Sequence, residues 1–231
     1  MNAASAVTYG AILAAFSDTG LAVRGGFLLE PDEVEAFGPI EPAEALPRSL
    51  VLLGNVGPGM WPAFETGRRQ EANPLDAWTK RVVDPIARSL GARAVYPSDR
   101  PFQPFQRWAQ RAEAVHPSPI GILIHPEHGL WHAYRAALLL PERLDDLPAR
   151  IARPSPCESC VGRPCLAACP VGAFGAAGYD VPACATHLRS GAEPRCMKIG
   201  CRARAACPVG CEKMYSEAQL RFHMNAFLGA R

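Results

Sequence analysis

The sequence predicts a layered domain of mixed helices and strands followed by a small cysteine module. Three observations carry this. Over residues 1–152, short aliphatic runs alternate with segments of helical periodicity. All nine cysteines fall between residues 157 and 211. Between the two regions, Arg150–Pro156 reads as a proline-containing linker, so the expected domains are 1–152 and 153–231.

Taken in order, residues 3–17 place Ala, Val, Ile, Leu and Phe densely enough for a buried helix, stopped by Asp18-Thr-Gly20. Leu21–Glu30 reads as a strand interrupted at Gly25-Gly26. The Pro-rich, acidic stretch 31–48 reads as a loop with at most one helical turn. Ser49–Gly54 is a short apolar run bounded by turn residues, which suits a central strand. The glycine-rich turn Asn55–Pro62 follows. It matches neither GxGxxG nor a phosphate-binding loop, and reads as a cofactor-facing loop or a plain turn.

Asn73–Leu90 is the clearest helix, with Leu75, Trp78, Val82, Val83, Ile86 and Leu90 on one face and Gly91 as its stop. Ala92–Tyr96 is a further strand. Pro104–Val115 is a helix with Phe105, Trp108 and Ala112 inward, and Asp99 is placed to cap its start. Ile120–Ile124 and Leu130–Leu140 form an apolar pair around His125-Pro-Glu-His128-Gly129.

In the module, the run Cys157-x2-Cys160-x4-Cys165-x3-Cys169-Pro170 is followed by Cys184, Cys196, Cys201, Cys207-Pro208 and Cys211. One phrase occurs twice, Ala167-Ala-Cys-Pro-Val-Gly172 and Ala205-Ala-Cys-Pro-Val-Gly210, as two similar half-sites would leave it. The bacterial ferredoxin run is C-x2-C-x2-C-x3-C-P, with its fourth cysteine serving the other cluster of a pair. Here the loop before the third ligand is two residues longer, and the proline after the fourth still turns the chain away. Interleaving assigns Cys157, Cys160, Cys165 and Cys207 to one [4Fe–4S] cluster and Cys169, Cys184, Cys196 and Cys201 to a second. Cys211 is the spare. Structural zinc is the rival reading, but it usually shows two C-x2-C pairs and this chain has one. A disulfide framework suits exported chains, and none of the marks of export is present.

The remaining composition is ordinary: 48% hydrophobic and 20% charged, the values of a soluble globule. The first basic residue is Arg24, so the apolar start lacks the positive region of a signal peptide, and no apolar run is long enough to span a membrane. Crowded thiols in a chain of this kind point to the cytoplasm. Residues 153–231 carry 10 Lys and Arg against 5 Asp and Glu, net +5, while the earlier part is net −3. A basic nucleic-acid face is one explanation; balance against two anionic clusters is the favoured one, so no nucleic-acid partner is expected.

Residues 119–141, with His125-Pro126, Gly129, Trp131 and Arg135, resemble the His-Pro…Gly…Trp…Arg segment of the CblC cobalamin-processing proteins. Met214-Tyr-Ser-Glu-Ala-Gln219 resembles a Tyr-Ser-Glu-x-Gln phrase of the same family. The cysteine module placed after such a domain resembles epoxyqueuosine reductase and, more distantly, reductive dehalogenases. All are corrinoid-binding relatives of the nitroreductases. The resemblance implies a CblC/nitroreductase-like α/β (α+β) domain, a ferredoxin-like two-cluster module and a base-off corrinoid, or else a flavin, reduced by a cubane.

Residue by residue, it implies Asp99, in Ser-Asp-Arg-Pro101, as a proton donor, Trp131 and Arg135 near the cofactor, and His125 beside the corrin ring. A zinc triad of His125, His128 and His132 would need helical spacing on a helix, and this segment reads as turn and strand. Two departures stand out. CblC proteins lack the iron–sulfur module, and the sequence shows no counterpart of the helical repeats that grip tRNA in epoxyqueuosine reductases. The implied function is a cluster-to-corrinoid oxidoreductase with a redox partner protein. A simple electron carrier and a cobalamin chaperone are the alternatives.

Overall fold

The computed structural model describes residues 7–41, 43–191 and 194–230. In chain order the elements are α1 (Tyr9–Phe16), β1 (Ala22–Leu28), α2 (Pro31–Phe37), β2 (Ser49–Val56), α3 (Trp61–Gly67), α4 (Pro74–Ser89), β3 (Arg93–Val95) and α5 (Phe105–Ala112). Then come β4 (His116–Pro117), β5 (Leu123–Ile124), β6 (His132–Leu140), α6 (Pro164–Ala167), β7 (Phe174–Gly175), β8 (Gly178–Tyr179), α7 (Val181–Ser190), α8 (Arg195–Ile199), α9 (Arg202–Ala205) and α10 (Glu217–Gly229). They gather into two compact units. The first comprises Met1–Asn55, Gly59–Glu113 and Ala133–Ile151; the second comprises Val56–Pro58, Ala114–His132 and Ala152–Arg231. The division is therefore not a single cut in the chain.

The first unit is built on a four-stranded sheet in the order β1-β2-β6-β3. β1 pairs antiparallel with β2, and β3 antiparallel with β6. Arg48 N–H donates to Leu140 O, while Gly54 lies against Ala133, so β2 and β6 also run antiparallel. Leu50, Val51, Leu52 and Leu53 are all fully buried, as a strand covered on both faces requires. The Gly25-Gly26 interruption is a β-bulge: the register shifts between Val23 and Gly26, and Gly25 takes a φ of +70°.

The helices follow the sequence with three differences. The part of the first helix expected at 3–6 lies outside the described residues; Thr8 caps the remainder. Residues 31–37, expected in a loop, form the two-turn α2, because Pro31 sits at its first position and Glu30 and Glu33 make a reciprocal capping box. Residues 61–67 form α3, which the glycine- and proline-rich surroundings conceal. In α4, Leu75, Trp78 and Val83 are buried as the periodicity predicts, with Thr79 and Ala87 completing the stripe. Phe64 of α3 meets Trp78 edge-on at 5.8 Å.

Ile120–Ile124 and Leu130–Leu140 are not partners along their length. Leu123–Ile124 pairs with His116–Pro117, and the His loop is closed by the single His125–Gly129 bridge. In the second unit, α10 packs on α8 and α7, and the one-turn helices α6 and α9 pack on each other. Each of those turns leads directly into one copy of the Ala-Ala-Cys-Pro-Val-Gly phrase. Both phrases end on a glycine of positive φ, Gly172 at +59° and Gly210 at +66°, where the left-handed backbone favours a residue with no Cβ.

Candidate functional site

Two cavities in the second unit hold eight of the nine cysteines between them. The first is lined by Cys157, Cys160, Cys165 and Cys207, with Ile120, Ile124 and Leu130 as its apolar wall. It encloses about 390 Å³ of atom-free space, counted out to its mouth. Three of its sulfurs come from the loop that precedes and enters α6; the fourth comes from the second Cys-Pro phrase.

The second cavity is lined by Cys169, Cys184, Cys196 and Cys201 and is larger, with about 1050 Å³ of atom-free space on the same measure. Cys169 belongs to the first Cys-Pro phrase, Cys184 to α7, Cys196 to α8, and Cys201 to the N-cap of α9. Ala173 N–H donates to Cys169 Sγ at 3.3 Å. Cys169 and Cys207 have thus crossed over: each equivalent cysteine of the doubled phrase faces the cavity formed mainly by the other stretch. Cys211 lines neither cavity and is exposed.

The thiols of each group affect one another. Burial first, then the neighbouring Cys207, Cys165 and Cys160, push the Cys157 thiol above its ordinary value, and Ser155 offsets part of this. Burial likewise raises Cys207, opposed by the Val209 backbone and reinforced by Cys165 and Cys160. Cys201 is raised by burial, then lowered by the Arg204 and Ala203 backbone, with Cys184 and Cys169 adding to the rise. Crowded thiols resist ionising together unless a cation compensates, which is the usual condition of a metal site. Among the described residues, no three His, Cys, Asp or Glu side chains form a group that could hold a metal ion. A cubane makes a different demand, since each thiolate meets its own iron and the cluster body lies between the sulfurs. Four sulfurs spread around a cavity could hold such a body.

The residues named for a cofactor are placed as follows. His125 Nδ1 accepts from the Glu127 and His128 N–H groups at 3.0 and 3.2 Å, and its ring stacks on His128 at 4.1 Å. Trp131 is 1% exposed, edge-on to Tyr215 at 5.4 Å and covered by the Arg204 guanidinium at 4.6 Å. Arg204 also donates twice to Leu130 O, at 3.0 and 2.5 Å. His125 and Trp131 belong to the second unit and Arg135 to the first. The Gly57 turn joins the second unit, with Gly57 N–H donating to Trp131 O at 2.7 Å.

Asp99 lies in the first unit and does not cap α5, whose N-cap is Pro104. Its two oxygens instead accept from Lys80 Nζ at 2.8 Å and Tyr96 N–H at 3.0 Å. The capping expectation is corrected by distance along the chain: four residues lie between Asp99 and the cap position Pro104, and the nearer turn claims it.

Sequence reasoning passed over four residues that line the second cavity: Tyr179, His187, Arg202 and Arg204. Only His187 carried a usable cue, because it follows Cys184 by three residues on one face of α7. The others arrive there through tertiary structure.

No protein-family model matches the chain, and no curated protein matches it. Among solved structures, the fold is similar to a selenomethionine-labelled epoxyqueuosine reductase, with a TM-score of 0.53 and 16% identity over 91% of this chain and 67% of that one. The epoxyqueuosine reductase from Streptococcus thermophilus gives a TM-score of 0.50 at 15% identity, covering 86% of this chain and 65% of that one. The chain thus spans about two thirds of the length of these reductases. The C. elegans B12-trafficking protein CblC gives a TM-score of 0.50 at 15% identity, covering 92% of this chain and 88% of that one. At these identities the likeness is one of fold. The mixed α/β architecture is that of epoxyqueuosine reductase and CblC.

Proposed function

We propose that the protein is an iron–sulfur oxidoreductase. In this reading Cys157, Cys160, Cys165 and Cys207 hold one [4Fe–4S] cluster, and Cys169, Cys184, Cys196 and Cys201 hold a second. Residues 1–152 form the domain that binds the electron acceptor, a corrinoid or else a flavin, and 153–231 form the cluster module. Its reductant would be a separate redox protein. The observation that carries the reading is the partition of eight cysteines, four and four, between two cavities, with Cys169 and Cys207 exchanged across the sequence. That exchange is the ligand pattern of paired clusters.

When bound, the clusters supply one-electron transfer; the chain's own residues supply the surroundings. Ile120, Ile124 and Leu130 screen the first site from water, and Ala173 N–H donates to Cys169 at the second. The corrinoid is supported by fold likeness to a B12-trafficking protein. Of the residues the resemblance points to for it, Trp131 is enclosed by Tyr215 and Arg204. No step is therefore routed through it. Asp99, the proton donor in this reading, is paired with Lys80 Nζ at 2.8 Å.

Anaerobic purification tests the reading. About eight irons and eight sulfides per chain are expected for two cubanes, with a brown colour that dithionite bleaches. A colourless protein with stoichiometric zinc overturns it. A cobalamin-trafficking role is the second reading, favoured by the match to 88% of the CblC chain. Cobalamin bound base-off without turnover would select it, whereas an unchanged cobalamin spectrum would leave an electron carrier.

A further inference from the structure

Three exposed apolar residues surround one opening. Ile122, Val171 and Tyr179 line the second cysteine cavity and yet stay 38%, 39% and 38% exposed, so they form its rim. Single exposed apolar residues are ordinary, but three around one mouth make a patch. The fold holds two of them still. Ser118 N–H donates to Ile122 O at 3.1 Å and Gly121 N–H to Ser118 O at 3.0 Å, which fixes the turn that carries Ile122. Phe174 and Gly175 pair with Tyr179 and Gly178, and the Tyr179 ring stacks on Phe174 at 4.7 Å and on Phe227 at 6.2 Å. Side chains ordered in advance lose little freedom when a partner covers them.

The segment that supplies most of the thiols of this cavity is charged with one sign. Residues 181–211, with Cys184, Cys196 and Cys201, contain Arg189, Arg195, Lys198, Arg202 and Arg204 against the single carboxylate Glu193. An oxidised four-thiolate cubane carries roughly −2, so the segment stays positive with its cluster bound. Arg202 lines the cavity itself. Arg195 directly precedes Cys196, is exposed, and makes no ion pair among the described residues. The first site differs. Residues 157–169 hold one charge of each sign, Glu158 and Arg163, and their exposed large apolar residue is Val161.

We propose that the Ile122/Val171/Tyr179 rim is the docking face for the protein's electron donor, and that the donor is a small acidic one-electron carrier protein. The proposal rests on the two-cluster reading above. An apolar centre inside a polar border is the anatomy of a specific protein contact. Basic charge beside it draws an acidic partner and sets the rate of encounter. Contacts between redox proteins are small, which suits a carrier that must leave after each electron. In the step, one electron passes from carrier to cluster: the carrier is oxidised by one, the cluster is reduced by one, and no bond forms or breaks. Nucleic acid would use the arginines, but Ile122 and Val171 offer nothing to a phosphate backbone.

The test uses anaerobically prepared full-length protein with an acidic flavodoxin as donor. Stopped-flow bleaching of the clusters by the flavodoxin hydroquinone gives the rate, and NMR line broadening in the mixed oxidised proteins gives the Kd. Dithionite, which needs no docking face, is the control reductant. Raising the salt from about 50 to 500 mM should slow the flavodoxin reaction about tenfold. Arg195→Glu should weaken the complex about tenfold and flatten that salt dependence, whereas Ile122→Ser should weaken it by about as much with the salt dependence kept. Both variants should hold wild-type iron, and Val161→Ser, at the other site, should match the wild type throughout. No flavodoxin complex, a Kd that neither substitution moves, or a loss on Val161→Ser instead overturns the proposal. So does an RNA stem-loop that binds in place of flavodoxin and is weakened by Arg195→Glu alone. In each of those cases clusters that dithionite bleaches leave the two-cluster reading standing; a protein without iron sinks both.

Discussion

Gly129 and Gly210 lie back to back: a methyl on Gly210 would sit 2.6 Å from Gly129 N, and one on Gly129 would sit 1.8 Å from Val209 O. The His loop and the second Cys-Pro phrase thus meet backbone to backbone within the second unit. The twin of Gly210 in the first phrase, Gly172, has the same left-handed φ, but a methyl there would meet nothing within 4 Å.

That asymmetry separates two identical substitutions. Gly172→Ala should cost only the left-handed backbone penalty, about 1–2 kcal/mol. Gly210→Ala meets backbone that cannot swing aside, adding an overpacking cost of about 1–3 kcal/mol or more. Denaturant midpoints of the two variants measure this. Equal losses would mean that the close approach does not exist in solution.

Much of the fold was legible because local pattern and tertiary role agreed. Ser49–Gly54 reads as a central strand because it has no polar face to expose, and Leu50–Leu53 are buried. Cys157, Cys160 and Cys165 share a cavity because they are close in the chain, whereas Cys207 reaches it from the second Cys-Pro phrase. α2 was also within reach: Pro31 and the Glu30/Glu33 box are start marks, outweighed by the surrounding prolines. The enclosure of Trp131 was not legible. It depends on Arg204, which lies 74 residues beyond the Leu130 carbonyl it binds, and no periodicity reports such a pairing. Tyr179 is hidden for the same reason, since its hairpin is only six residues long and its second stacking partner, Phe227, lies in α10.

In the first unit Arg24 is 3% exposed and grips both oxygens of Glu113, at 2.7 and 2.6 Å, while Tyr134 O–H donates to the same carboxylate at 2.8 Å. Removing one ion leaves the other desolvated. Arg24→Met should therefore destabilise by about 3–5 kcal/mol. Arg24→Met/Glu113→Leu should recover part of that loss, because no buried charge remains. Urea unfolding of the cycle reads the coupling, and additive losses would refute it.

Arg204 donates twice to Leu130 O and lies over both the Trp131 and Tyr215 rings, at 4.6 and 4.5 Å. Lysine keeps the charge but loses the planar fork and the stacking. Arg204→Lys should cost about 1.5–3 kcal/mol, the range of a charged hydrogen bond, with some loss of cation–π contact. Thermal unfolding followed by tryptophan fluorescence would detect it. An unchanged midpoint would show that the fork contributes little.

Asp146 accepts from Tyr9 N–H at 2.8 Å and Gly10 N–H at 3.1 Å, at the start of α1. The Tyr9 N–H, helped by Gly10 and partly opposed by burial, holds this carboxyl below its ordinary value. A lowered carboxyl contributes stability that is present above the unfolded value and lost as pH falls through the folded one. Below about pH 4 the wild-type protein should lose this contribution, and Asp146→Asn should flatten that part of the acid limb. Parallel acid limbs for the two proteins would exclude it.

The crossed cysteine grouping makes its own demand on iron content. Cys207→Ala and Cys157→Ala remove ligands of one cavity, so each should leave about half the iron of the wild type, and their combination should lose no more than either alone. Cys157→Ala/Cys184→Ala takes one ligand from each cavity and should lose nearly all of it. Cys211→Ala should change nothing, because Cys211 lines neither cavity. Grouping by sequence order instead, Cys157 to Cys169 against the rest, would make Cys157→Ala/Cys207→Ala the severe combination. The iron assay on these two double variants therefore decides which thiols share a site, whatever the acceptor of the electrons.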